Sequence, residues 1–279
     1  MSARHPWSER AHVAAAWGLT RERWLALSPG GRDRLISFLS PFLLLLAWEA
    51  AARFGLIDTR FFPAPTTILR TFGKLVASGA LWDNTWASLQ RLFWGFLVGG
   101  VPALILGIVM GLYRPVRAAV DPLIAATYPI PKSAILPLIL LIFGLGEASK
   151  VVMVAIGVFY PICINAVAGV LEINKIYLDV GKNFRATRWQ TFHTIALPGA
   201  LPFIMSGVKL GVGMGLILIA IAEMIGAKTG LGYMIWNAWE ILAVEAMYVG
   251  LIVIAVIGYL FSLLLNEVER WIIPWKADR

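Results

Sequence analysis

The sequence predicts an all-α polytopic membrane protein, a bundle with six transmembrane helices. Three observations lead there. Of 279 residues 59% are apolar and 14% are charged, about half the charged share of a soluble globular domain. A mean hydropathy of +0.77 needs an apolar solvent around the chain as well as a core within it. Six continuous apolar stretches, 35–54, 92–113, 122–145, 149–170, 203–226 and 247–267, each approach the ~20 residues that let a helix cross roughly 30 Å of hydrocarbon. They are continuous rather than alternating, which selects helices over the strands of a barrel. Finally, the 24 Lys and Arg residues are unevenly placed. With the N-terminus inside, the inner segments 1–34, 114–121, 171–202 and 268–279 hold 15 of them. The outer segments 55–91, 146–148 and 227–246 hold 5. Positive charge favours the cytoplasmic side, so both termini are expected there. The formal charge of +8 therefore points to lipid headgroups and topology, not to nucleic acid.

The first 34 residues carry six arginines and no apolar core, so they are not a signal peptide. Residues 8–28 read either as an interfacial helix anchored by Trp17 and Trp24 or as a loosely ordered basic tail. The remainder, 35–279, is expected to form one transmembrane domain. In the outer segment, Ile68, Phe72, Leu75 and Val76 recur at helical spacing, with Arg70 and Lys74 off that face. Pro63 and Pro65 precede this short surface helix and Ser78-Gly79 ends it.

The longest polar insertion between spans is 171–202. Residues 171–184 suit a short helix. Thr187 and Gln190 match a capping box, so a second helix is expected from about Arg188. Leu197-Pro198 and Leu201-Pro202 are expected to stop it before the fifth span. Such a knob is either a docking element for a partner or an ordered connector.

Here the chain resembles the integral-membrane permeases of bacterial ATP-binding-cassette importers, in the nitrate, sulfonate and taurine branch. That family carries E-A-A, three residues, G, nine residues, then I-x-L-P. The same frame reads Asp179-Val180-Gly181, three residues to Arg185, nine residues, then Ile195-Ala196-Leu197-Pro198. Spacing and ending agree. The acid is Asp, the alanines are Val and Gly, and Arg185 replaces the glycine. The V-G-x-x-F-R run, which includes Phe184, is similar to aliphatic-sulfonate permeases. Further blocks agree in order: FFPAPTTIL, SGALW, SLQR and WGF, then YPIPKSAILPLILLIFGLGEASKVVMVAIGVFYP, then AEMIGAKTGLGYMI. The resemblance spans roughly residues 40–267.

The resemblance implies a type I importer-like permease that moves a small, anionic solute by alternating access. It implies two cytoplasmic ATPase subunits, a second permease copy, a periplasmic binding protein, and ATP-Mg on the ATPase rather than on this chain. It assigns ATPase coupling to Asp179, Val180, Gly181, Phe184, Arg185, Ile195, Leu197 and Pro198. A glycine at position 185 would take φ > 0 at the helix end. Arginine there costs roughly 1 kcal/mol, unless the helix ends differently or Arg185 has a partner of its own.

Intramembrane charges mark candidate path residues. Lys132 lies among Pro129, Pro131 and Pro137, so it either meets an anion in a cavity or sits at the interface. Glu223 precedes Gly226 and Gly230-Leu231-Gly232, near the outer end of the fifth span. It reads as a gating or structural residue. Lys209 is shallow enough to snorkel to the inner surface. No G-x-x-x-x-G-K-[ST] phosphate loop, H-E-x-x-H or Cys/His cluster occurs, so neither ATP chemistry nor a metal site is expected in this chain. The alternatives are an ion-coupled carrier, although the chain shows no convincing internal repeat, and the same importer-permease role for a pyrimidine or vitamin-precursor solute.

Overall fold

The computed structural model describes residues 29–275; the expectation for the tail at 8–28 lies outside them. The chain divides into two units, 1–67 and 68–279. In the first, helix α1 (Pro29–Arg53) contains an apolar span from Leu35 to Arg53. Its Glu49 pairs with Arg53 at 2.6 Å. The same carboxylate accepts Thr66 N at 3.0 Å and Thr66 Oγ1 at 2.8 Å. Thr66 lies in the first turn of α2 (Pro65–Ala77), whose amides have no helical partner, so Glu49 caps α2 from a distance. Along α2, Ile68 is buried and Leu75 and Val76 are half-buried, but Phe72 is exposed.

The second unit centres on three long helices. Gly79, at φ 81°, turns the chain from α2 into α3 (Ala80–Leu112). Helix α6 spans Glu147–Leu171 and α9 spans Leu197–Met224. Their common core holds Leu92, Met110, Val154, Val158, Ile162 and Leu216. The α3–α6 seam is built on two glycine pairs, Gly95 with Gly99 and Gly107 with Gly111, the members of each pair four residues apart. A Cβ on Gly99 would lie 2.6 Å from Ala155 Cα, one on Gly107 2.6 Å from Ala166 Cβ, and one on Gly111 2.7 Å from Val170 Cγ1. Only backbone-to-backbone approach fits there, the packing that small residues allow between membrane helices.

Helix directions settle the crossings. Contacts along α3 and α6 advance together, Gly99 with Ala155 and Gly111 with Val170, so the two run parallel. The chain must return across the full depth between them. It does so through α4 (Arg114–Thr127), a 3₁₀ turn (Lys132–Ile135) and α5 (Leu136–Phe143). The expected third span at 122–145 is thus a broken one, bent by 86° where Pro129 and Pro131 interrupt the helix. Helix α9 runs antiparallel to α6, with Gly157 against Leu218 and Gly169 against Phe203. It is followed by α10 (Leu231–Glu240) and α11 (Val244–Ile272).

Other boundaries also differ from expectation. Helix α3 starts at Ala80 rather than at 92, because its polar residues find partners, as described below. The expected helix at 171–184 is split: Asn174 Oδ1 accepts Ile176 N at 3.0 Å and starts α7 (Lys175–Asn183). Helix α8 (Arg188–Thr191) opens on the expected capping box, with Gln190 N donating to Thr187 Oγ1 at 3.3 Å and Thr187 N to Gln190 Oε1 at 2.8 Å. The prolines do not stop it. A π-turn at Phe192–Ala196 feeds directly into α9, with Pro198 in the first turn, where a missing N–H costs nothing. Helix α10, inside a segment expected to be an outer loop, was not anticipated.

Candidate functional site: a knob, a bend and a polar cluster

Three groups of polar or exposed residues stand out. The first is the knob from α7 to the π-turn. Phe184 N donates to Val180 O, Arg185 N to Lys182 O at 2.9 Å and Ala186 N to Gly181 O at 2.9 Å. The 6→1 and 5→2 bonds make a Schellman end, which requires a left-handed residue after the cap. Arg185 occupies that place at φ 52°. The helix therefore ends as the glycine pattern requires, with an arginine doing so under strain. Its side chain is exposed.

The motif divides by burial. Gly181 is buried, and a Cβ there would come within 3.0 Å of Ile195 Cδ1; Ile195, Leu197 and Pro198 are half-buried. These four hold the knob together. Asp179, Val180, Phe184 and Arg185 face outward, and Phe184 is 84% exposed. With Ile176, Tyr177 and Trp189 they leave an apolar, aromatic surface on a polar segment. Asp179 makes an exposed pair with Lys182 at 3.2 Å.

The second group is the bend. Lys132 is buried, and its Nζ donates to Thr127 O at 2.9 Å and Tyr128 O at 3.0 Å. It lies 4.0 Å from the centre of the Tyr160 ring. The proline break leaves the last carbonyls of α4 without helical donors, and Lys132 supplies them.

The third group is a cluster at the opposite end of the bundle from the knob. Glu223 is 0% exposed. Its carboxylate accepts Ser88 Oγ at 2.8 Å, Arg91 Nη1 at 2.8 Å and Gly232 N at 3.0 Å. Arg91 also donates Nε to Glu147 at 2.5 Å and Nη2 to Glu147 at 2.7 Å. It reaches Thr229 O through Nη1 at 2.7 Å and Thr229 Oγ1 through Nη2 at 3.1 Å. Helix α10 begins at this cluster. Gly230 N donates to Asn84 at 2.8 Å, Leu231 N to Ser88 at 2.8 Å and Gly232 N to Glu223, so its orphan amides are capped by α3 and α9. Gly230, at φ 120°, leaves no room for a side chain, because a Cβ would overlap the Glu223 carboxylate. Lys150, likewise buried, donates to Leu145 O at 2.5 Å, Gly146 O at 3.0 Å and Gly226 O at 3.3 Å.

Sequence reasoning found Glu223 but left Arg91 and Glu147 outside the spans. The available signal was Asn84, Ser88 and Arg91 at i, i+4 and i+7, a polar stripe leading into an apolar run. Lys209 Nζ donates to Asn266 at 2.6 Å and pairs with Glu269 on α11. An apolar groove of about 600 Å³ runs along α3, α9 and α11, lined by Trp86, Phe93, Val208, Phe261 and Leu264 among others. Neither Lys132 nor Glu223 lines it.

Comparison with known proteins gives the context of these groups. Residues 103–277, more than half of the chain, match the family described as the binding-protein-dependent transport system inner membrane component. The chain is 33% identical to the taurine transport system permease protein TauC of Escherichia coli over 261 residues, covering 92% of this chain and 94% of that one. It is 30% identical over 269 residues to a putative aliphatic sulfonates transport permease protein, SsuC, of Bacillus subtilis, covering 96% and 98%. Similarity extends to the riboflavin transport system permease protein RibX of Chloroflexus aurantiacus, at 32% identity over 85% of this chain and 88% of that one. In fold it is similar to a chain of the MetNI methionine ABC transporter solved in inward-facing conformations, with a TM-score of 0.52 and 22% identity over 70% of this chain and 95% of that one. The chain belongs to the binding-protein-dependent transport system inner membrane component family: it is a multi-pass inner-membrane permease subunit of an ABC importer, a family that works with an ATPase and a substrate-binding protein.

Proposed function

We propose that this permease imports a small anion of the sulfonate or taurine type by alternating access. Its similarity to TauC, a taurine transport permease, and to SsuC, a putative aliphatic sulfonates transport permease, supports the solute class. In this reading two copies of the chain form the membrane core, and ATP-Mg binds two cytoplasmic ATPase subunits rather than this chain. The knob at 175–196 enters a groove on the ATPase. The exposed Ile176, Tyr177, Val180, Phe184 and Trp189 carry this reading, because a polar segment outside the bilayer gains from such a surface only when a partner covers it. The 15 to 5 distribution of Lys and Arg supports placing the knob and both termini in the cytoplasm and the Arg91–Glu223 cluster outside.

Within this reading the path residues acquire different roles. Lys132 holds the bend at the end of α4, since its ammonium is committed to two carbonyls and a ring face. Glu223 organises the outer ends of the helices. Neither is assigned as a solute contact.

Asp179→Lys tests the docking. Its own pair with Lys182 is exposed and worth ~1 kcal/mol or less, so the fold should survive its loss. The variant permease should insert and dimerise, yet bind the ATPase weakly or lose hydrolysis stimulated by the loaded binding protein. Full coupling in reconstituted Asp179→Lys complexes would remove this position from the interface.

A further inference from the structure

We propose that Arg91 is the positioning residue of the outer gate, binding the loops at 144–146 and 225–230 into one body that moves as a unit. The inference rests on the alternating-access reading and adds to it the part that sets the outer end.

The argument begins with donor counting. A guanidinium has five N–H groups in a rigid fork. At Arg91 all five are used: two on Glu147, two on Thr229 and one on Glu223. The acceptors belong to different parts of the chain. Glu147 opens α6 directly after the first loop, Thr229 lies in the second loop, and Glu223 closes α9. Arg91 itself is fixed along α3 and is buried. Lys150 adds a second tie, donating to Leu145 and Gly146 in the first loop and to Gly226 in the second. Neither loop can shift without breaking charge-assisted hydrogen bonds shared with the other.

Burial is graded across the clamp. Glu223 is sealed at 0% exposure, whereas the Glu147 side chain is 68% exposed. The sealed end fixes the arginine and the wet end can exchange with water. A lysine cannot reproduce this. It presents three donors from a point charge and lacks the planar fork that grips Glu147 with two nitrogens while reaching Glu223 and Thr229.

The test uses the full permease with its ATPase in nanodiscs and reads amide hydrogen exchange by mass spectrometry. In Arg91→Lys, exchange at 144–147 and at 225–232 should rise together, by at least about tenfold, with α7 unchanged. Glu147→Gln should raise both by a smaller factor. It supplies the same reading if Arg91→Lys does not assemble. A rise in one loop only, or in neither, would overturn the single-body claim. The second measurement is solute moved per ATP hydrolysed, which should fall in both variants while complex assembly holds. Loosened loops with unchanged coupling would overturn the gate assignment. A wild-type complex without hydrolysis dependent on the binding protein would instead sink the transport reading, and the exchange result would still decide the clamp.

Discussion

Replacing Arg185 by glycine separates a residue that fills a turn from one that makes a contact. At φ 52° the Arg185 side chain crowds its own carbonyl, a conformation that costs ~1–2 kcal/mol for an L-residue. Glycine removes that cost but brings ~0.5–1 kcal/mol of additional backbone freedom to be lost on folding. The difference favours the variant by about 0.5–1 kcal/mol. With 1.4 kcal/mol per factor of ten, amide exchange in the last turn of α7 should slow by roughly two- to fivefold. The amides that report it are those of residues 185 and 186, which bond to the carbonyls of Lys182 and Gly181. The measurement is hydrogen exchange on a peptide spanning this turn, in the reconstituted complex. Arg185→Val should do the opposite, because a β-branched residue tolerates the left-handed region worse than arginine. Faster exchange in Arg185→Gly would refute the strain argument. Slower exchange together with a lost ATPase complex would show that the arginine side chain itself meets the partner.

Two further outcomes follow from the packing. Gly99→Val should disrupt the α3–α6 seam, since even a Cβ would stand 2.6 Å from Ala155 Cα; the expected result is a thermal midpoint well below wild type, or no folded permease, in line with overpacking costs of ~1–3 kcal/mol or more. Normal stability in that variant would mean the helices do not approach as closely as described. Lys132→Met should leave Tyr128 O without its ammonium donor and Thr127 O with only the longer bond from Ile130 N at 3.3 Å, at ~1–3 kcal/mol for a buried group, and lower the melting temperature of the detergent-solubilised permease. Unchanged stability with abolished uptake would return Lys132 to the solute path.

Much of the molecule was legible in the order of its residues. Composition and run length alone determined a helical membrane bundle, because a bilayer admits no other use for six long apolar runs. The capping box at Thr187 and Gln190 was readable because its two partners lie three residues apart and need nothing else. The spacing of Asp179, Arg185 and Leu197-Pro198 carried the family resemblance. Local signals failed where a distant partner decided the outcome. The apolar run of the second span starts only at residue 92; the fold begins the helix at Ala80, and Glu147, Glu223 and Thr229 arrive from elsewhere to neutralise and satisfy Arg91. Pro198 was expected to end a helix, yet it stands in a first turn, which only the register of the π-turn establishes. The prolines near Lys132 announced a break in the third span. That the break turns through 86°, and that the lysine caps the exposed carbonyls, depended on α3 and α6 running parallel and forcing the chain back between them. What the sequence determined rests on interactions within a few residues or with the solvent. What the tertiary structure decided is where each buried polar group finds its partner, up to 146 residues away in the case of Asn84 and Gly230.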